Sequence, residues 1–136
     1  DLLRRQAATN ATMERYRNKP FDWSRGITCV ALARSHLKLM GHRPPTLPRI
    51  RSALAAKREM KARGWANVGE MLNSMLPRIP PAMMLLGDLA VAASEEGMGA
   101  IFVCAGPQKL IGWREDEEKM VLLDVSLDEL GGAWRV

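Results

Sequence analysis

The apolar residues of this chain change their period near Gly87, and that change limits the fold more than any other feature. Before it, apolar side chains recur at three- and four-residue spacings, in blocks closed by glycine or proline. That is the pattern of short amphipathic helices. After it come short β-rich runs separated by Gly, Pro and acidic turns, the pattern of strands. Helices first and strands after predict an α+β fold, with N-terminal helices packed on a C-terminal antiparallel sheet of four to five strands. A length of 136 residues, 47% of them apolar, suffices for one sizeable core. The chain is therefore read as one domain over 1–136: an N-terminal helix over 1–19, a helical half over 20–86, and the sheet over 87–136.

The helices can be placed from their caps. Residues 1–17 set Leu2, Leu3, Ala7, Ala8 and Met13 against Arg4, Arg5, Arg15 and Arg17, and Asn18-Lys19-Pro20 ends them. Thr28 is a suitable N-cap for a helix from Cys29, with no glycine or proline until Gly41, which suits a left-handed C-cap. Pro48 in a first turn predicts a helix over Arg49–Arg63, closed by Gly64. Asn67 and Glu70 form a capping-box-like pair for a helix over Val68–Leu76 that stops at Pro77. The segment Ile79-Pro80-Pro81-Ala82 reads as a loop. Strands are expected at Leu89–Ala93, Ala100–Ala105, Lys109–Trp113, Met120–Val125 and Ala133–Val136, with an acidic loop over Arg114–Glu118. Trp23, Leu32, Ile101, Phe102, Val103 and Leu122 are expected to be buried together.

Charge divides the chain along the same line. Residues 1–84 carry 16 Lys and Arg against 5 Asp and Glu, and residues 85–136 carry 4 against 10. Arg49, Arg51, Lys57, Arg58, Lys61 and Arg63 fall on one predicted helix, most of them on its solvent side. They form a candidate docking face for an acidic neighbour, or else a solvated face. The basic residues are spread over several helices with no DNA-reading motif, so specific nucleic-acid binding is not expected. No apolar run approaches a membrane span. Two cysteines, Cys29 and Cys104, make no disulfide framework, and no cluster has zinc spacing, so neither a metal nor another cofactor is expected.

Cys29 is the residue with the most chemistry. A helix N-terminus stabilises a thiolate and lowers its pKa. The alternative is a small buried apolar side chain in a first helical turn. A histidine base for it is hard to find. His36 lies seven residues on, about 10.5 Å along the same helix, whereas a nucleophile and its base must lie about 3 Å apart. His42 lies farther still. Asp22 and Asp88 can approach, but an ordinary carboxylate is a poor base for a thiol.

Trp23, a short turn, Cys29 opening a helix and Gly41 closing it resemble the NlpC-type papain-like cysteine peptidases. Gly87-Asp88-Leu89 looks like that family's GDL strand opening, and Gly99-Ala100-Ile101-Phe102 like its H-V-G-I-Y strand. Gly106 and the run Lys109–Trp113 keep the same order. Through the terminal Ala133-Trp134-Arg135-Val136, the arrangement is closer still to a phage-tail and prophage family of NlpC-like proteins of unassigned function. The resemblance covers about residues 20–136. It implies a papain-like fold, a nucleophile at Cys29, a histidine base on the second strand, and attack on an amide of a peptidoglycan stem peptide. The cysteine carries over; the histidine does not, because the alignment puts Met98 in its place, or Gly97 or Gly99 with a one-residue slip. Thr28 stands where relatives have Asp, and Val30 where they have Ser.

Two readings follow from the resemblance. The first is a catalytically inactive structural or tail-tip assembly module. Cys29 is then vestigial, other tail proteins are the partners, and Trp23, Asp88 and the basic residues belong to docking surfaces. It would reside in the virion tail, or in the host cytoplasm during assembly. The second is a working peptidase of peptidoglycan stem peptides with Cys29 as nucleophile and a base from elsewhere. An unrelated α+β binding protein is the third alternative.

Overall fold

A computed structural model describes residues 1–114 and 118–136; most of the expected acidic loop, residues 115–117, lies outside the described residues. Four helices come first: α1 (Leu2–Tyr16), α2 (Cys29–Leu39), α3 (Ala53–Ala62) and α4 (Val68–Asn73). Six strands follow: β1 (Arg78–Ile79), β2 (Leu89–Ala92), β3 (Ala100–Gly106), β4 (Lys109–Gly112), β5 (Val121–Asp124) and β6 (Leu130–Trp134). They form one antiparallel sheet in the order β1-β6-β2-β3-β4-β5. The α+β reading is therefore correct, and the strand number is six rather than four to five. The additional strand is Arg78–Ile79, whose second residue opens the segment expected as a loop. Ile79 pairs with Ala133 and Arg78 with Trp134, at a sheet edge where the flanking Pro77 and Pro80 remove no ladder bond. No helix among the described residues is long and apolar enough to cross a membrane.

Caps decide where the helices begin. Asp1 accepts a hydrogen bond from the Leu3 amide, Thr28 from Ala31, Ser52 from Ala55 and Asn67 from Glu70. The third helix therefore starts at Ala53 and not at Arg49. Ser52 supplies a side-chain acceptor that Pro48 cannot, and three prolines between 44 and 48 hold the preceding chain extended. The Glu70 carboxylate reaches back to the Ala66 amide, so the capping box closes one residue farther out than expected. α2 ends at Gly41, whose φ of +89° is the left-handed conformation expected there.

The core lies on both faces of the sheet. The larger cluster packs Leu32, Leu37, Leu72, Leu89, Ile101 and Trp134 between the helices and the sheet. A smaller one gathers Ala90, Phe102, Cys104, Leu110 and Leu123 on the opposite face. Leu32, Ile101 and Val103 join the larger cluster as expected. Phe102 is buried but on the other face, because neighbouring strand residues point to opposite sides. Leu122 is 55% exposed, since it lies on β5 at the sheet edge, and Trp23 is only half-buried against the larger cluster.

A buried ionic centre ties the two halves together. Asp88, at the start of β2, is fully enclosed. One of its oxygens accepts from Arg5 Nη1 and the Val136 amide, both at 2.9 Å. The other accepts from Arg135 Nε at 2.9 Å and the Leu85 amide at 2.8 Å. Arg5 also donates to the carbonyls of Leu86 and Val136. Asp88 thus belongs to no docking surface, contrary to expectation; it holds α1, β2 and the end of β6 in register. Beside it, His36 Nε2 donates to the Gly87 carbonyl at 2.8 Å, and Nδ1 accepts from the Thr12 hydroxyl at 2.7 Å. A carbonyl can only accept, so these partners fix the neutral tautomer. Burial holds the His36 pKa below its usual value.

Candidate functional site

The site is built where the turn before α2 meets the loop between β2 and β3. Asp22 and Ile27 pair their backbones at 2.8 and 2.9 Å, and Gly26 turns between them with φ +73°. The Asp22 carboxylate is taken up by the amide and hydroxyl of Ser24. This closed turn presents Trp23 and delivers Thr28 to its capping position, so Cys29 is the first residue of α2. On the other side, Ser94–Gly99 folds on itself: Gly97 donates to the Ser94 carbonyl and Gly99 to the Ser94 hydroxyl. The Met98 carbonyl takes the first free amide of α4, from Val68.

Between these segments runs a groove of about 530 Å³. Its walls are mostly apolar, with Phe21, Trp23, Trp65 and Trp113 among the largest side chains. Phe21 packs edge-on against Trp23 and Trp113, with centroids 5.3 and 5.7 Å apart. Trp113 is anchored by donation to the Lys19 carbonyl. Cys29 and Met98, the two positions singled out in the sequence, both border the groove. At Gly99, the alternative position, a larger side chain would be crowded. Its φ is +87°, and a Cβ there would meet Val91 and Val68 side chains at 3.0 and 3.1 Å.

The electrostatics of Cys29 reverse the sequence expectation. Burial among the groove's apolar walls pushes the thiol up, and the Glu96 carboxylate adds to the rise. The Ile101 amide beside the sulfur opposes this and is outweighed. Desolvation therefore overrides the helix N-terminus, and the resting group is a thiol rather than a thiolate.

No described residue bordering the groove is a histidine. His36 is held between Thr12 and Gly87, and His42 lies beyond the end of α2. Asp22 is held below the usual carboxylate range by its bonds to Ser24, which makes it a weaker base still. Arg49, Arg51, Lys57, Arg58, Lys61 and Arg63 are all exposed, which a docking face and a solvated face both require. Arg49 and Arg51 precede α3 rather than belong to it, and Arg49 borders the groove. Arg63 pairs with Glu59 at 2.8 Å and lies over the Trp65 ring. The sequence reading missed Trp65, Trp113, Met60 and Met71 as groove residues. The signal available was weak: Trp65 follows the helix-closing Gly64, and Trp113 ends a strand.

Residues 3–136 match the family described as Domain of unknown function (DUF6950). No curated protein matches the chain. Among solved structures it is similar to the crystal structure of the NlpC/p60 domain of peptidoglycan hydrolase SagA, with a TM-score of 0.63 and 19% identity. That alignment covers 96% of this chain and 98% of the other, so the two share a fold over nearly their whole lengths.

Proposed function

The chain belongs to the DUF6950 family and has an NlpC/p60-like fold, and from that premise we propose that it keeps the groove of a papain-like peptidase without the peptidase chemistry. It acts as a structural or tail-tip assembly module of a phage or prophage tail. The observation that carries the loss of chemistry is Met98, which shares the groove with Cys29 where the fold's relatives are expected to hold a base. Amide hydrolysis by a cysteine needs a thiolate to attack, an acid to protonate the departing amine, and a base to activate water. A thioether does none of these, and burial holds Cys29 in its protonated form. The tail assignment is supported by the order of sequence motifs through the terminal Ala133-Trp134-Arg135-Val136. Its partners are then other tail proteins, and it resides in the virion tail or in the host cytoplasm during assembly.

One observation favours a second reading, a working peptidase of peptidoglycan stem peptides: Cys29 borders a groove that is open to solvent, where a partner chain can add a base. Incubating the purified protein with cell-wall sacculi and measuring released peptides tests both. No release from wild type agrees with the proposal. Release that disappears in Cys29→Ala overturns it.

A further inference from the structure

We propose that α1 is an arm released by acid: protonation of His36 breaks the polar seam that holds this helix on α2, while the other helices and the sheet stay folded. The proposal stands apart from the question of hydrolysis, because the seam includes neither Cys29 nor Met98.

α1 is attached with little apolar burial. Its buried residues are Ala8, Thr9, Thr12 and Tyr16, two of them threonines. Leu2 and Leu3 are 69% and 75% exposed. Among the largest fully buried side chains, Thr9 alone comes from α1; Trp134, Leu32, Leu37, Leu72 and Ile101 belong to elements that stay behind. Thr9 uses its hydroxyl inside the helix, on the Arg5 carbonyl. The polar anchors on the rest of the chain are Arg5, bonded to Asp88 and to the carbonyls of Leu86 and Val136, and Thr12, bonded to His36. Tyr16 adds an edge-on contact with Trp113.

Both anchors depend on a neutral His36. Its ring is fully buried, and both nitrogens are engaged, Nε2 with the Gly87 carbonyl and Nδ1 with the Thr12 hydroxyl. A proton added at Nδ1 reverses the second bond, since the hydroxyl must then accept. The charged and titratable groups facing the ring are Arg5 from α1, Asp88 from the start of β2 and His42 from beyond the end of α2. Behind them, Arg135 binds Asp88, and the Cys104 thiol lies in the field of Asp88 and Arg5. Asp88 already accepts four hydrogen bonds, which fill its acceptor sites. An imidazolium at this place therefore faces the Arg5 guanidinium, in a buried setting, without a bond to a carboxylate. Lifting α1 takes Arg5 away and lets water reach the ring.

The sign follows from burial. The closed form holds the ring below its ordinary value of 6.5, and the open form restores that value. Below it, each pH unit raises the released population about tenfold, until the lower value of the closed form is reached. A lone helix of 15 residues is marginal in water, so released α1 loses its amide protection.

Hydrogen exchange of the full chain at pH 7 and pH 5, read by mass spectrometry and corrected for the intrinsic pH dependence of exchange, tests this. Protection of α1 is expected to fall about tenfold or more at pH 5, while α4, β2 and β3 keep theirs. In His36→Gln the amide can donate to Gly87 and accept from Thr12 without titrating, so α1 is expected to stay closed at both pH values. His42→Gln is expected to behave as wild type. Unchanged protection of α1 in wild type overturns the proposal. So does loss of protection in β2 and β3 together with α1, which is unfolding of the whole domain, and so does a His36→Gln variant that opens at pH 5 as wild type does. Should that variant not fold, nuclear magnetic resonance of the His36 ring in wild type decides. Its titration is expected to coincide with the loss of α1 protection, and a ring that takes up its proton with α1 still protected overturns the proposal.

Discussion

Replacing Asp88 by asparagine tests the ionic centre with the smallest change of shape. The carboxylate is fully buried and accepts four hydrogen bonds, two on each oxygen. An asparagine keeps one oxygen and turns an amide group toward the donors at the other. Two N–H groups then face N–H, and the Arg5 guanidinium, only 13% exposed, loses its counter-charge. Breaking a buried ion pair from one side costs about 3–5 kcal/mol. Arg135 is 34% exposed and is screened by water, and Arg5 keeps the carbonyls of Leu86 and Val136. The expected loss is therefore at the lower end, about 3 kcal/mol, against a total of about 5–15 kcal/mol for a domain. Urea unfolding followed by tryptophan fluorescence measures it, since Trp134 is buried next to Arg135. In a double-mutant cycle, Arg5→Met with Asp88→Asn is expected to lose less than the sum of the two single changes. A loss below about 1 kcal/mol with an unchanged denaturant slope refutes the reasoning, because it means that the backbone carbonyls alone hold Arg5.

Gly112→Ala is expected to cost about 1–3 kcal/mol: a Cβ there would lie 2.4 and 2.8 Å from two carbons of the buried Phe102 ring. Gly131→Ala, whose Cβ would meet only the Val91 carbonyl at 3.7 Å, is the near-neutral control in the same urea assay. Because burial lowers the folded pKa of His36, the unfolded chain binds the proton more readily. The stability from its neutral form is thus present above the ordinary value of 6.5 and is lost as pH falls through the lower, folded value. Melting temperatures between pH 5 and 7 are expected to show a downward slope toward acid that is absent in His36→Gln. The raised Cys29 pKa predicts slow alkylation at neutral pH, rising until well above the pH at which a free thiol levels off. A rate that levels off below pH 8 contradicts the desolvation argument.

Local signals made the helical half legible and non-local ones hid parts of the rest. Thr28, Gly41, Asn67 and Pro77 each act within one or two turns of helix, so their effects could be read in order along the chain. Ser52 was overlooked because Pro48 offered a competing start, and only the extended Pro44–Pro48 stretch shows which one the backbone follows. Arg78–Ile79 becomes a strand because β6 arrives beside it from more than fifty residues later. Phe102 could be recognised as buried, but its face depends on strand register, which a β-rich run apolar at every position leaves open. Asp88 was singled out by its motif and assigned to a surface; its role depends on Arg5 and Arg135, from opposite ends of the chain. Two groove positions, Cys29 and Met98, were singled out in the sequence, while the groove's aromatic wall comes from three separate segments, Phe21–Trp23, Trp65 and Trp113.

The order of effects at Cys29 explains why the helix motif by itself misleads about reactivity. A helix N-terminus contributes about 0.3–1 kcal/mol to a nearby anion at an exposed site. Desolvation opposes the charge of an ionisable group, and at Cys29, half-buried against the groove's apolar walls, it is the largest influence on the thiol. In a papain-like site an imidazolium beside the sulfur shifts that balance toward the thiolate. Here the groove supplies Met98, whose thioether carries no charge, and Glu96, whose carboxylate acts in the opposite direction. The helix start at Cys29 therefore goes with a thiol whose pKa is raised. A histidine introduced at position 98 would pair with the sulfur only if its ring could turn toward it past Val68 and Gly99, which pack on this loop.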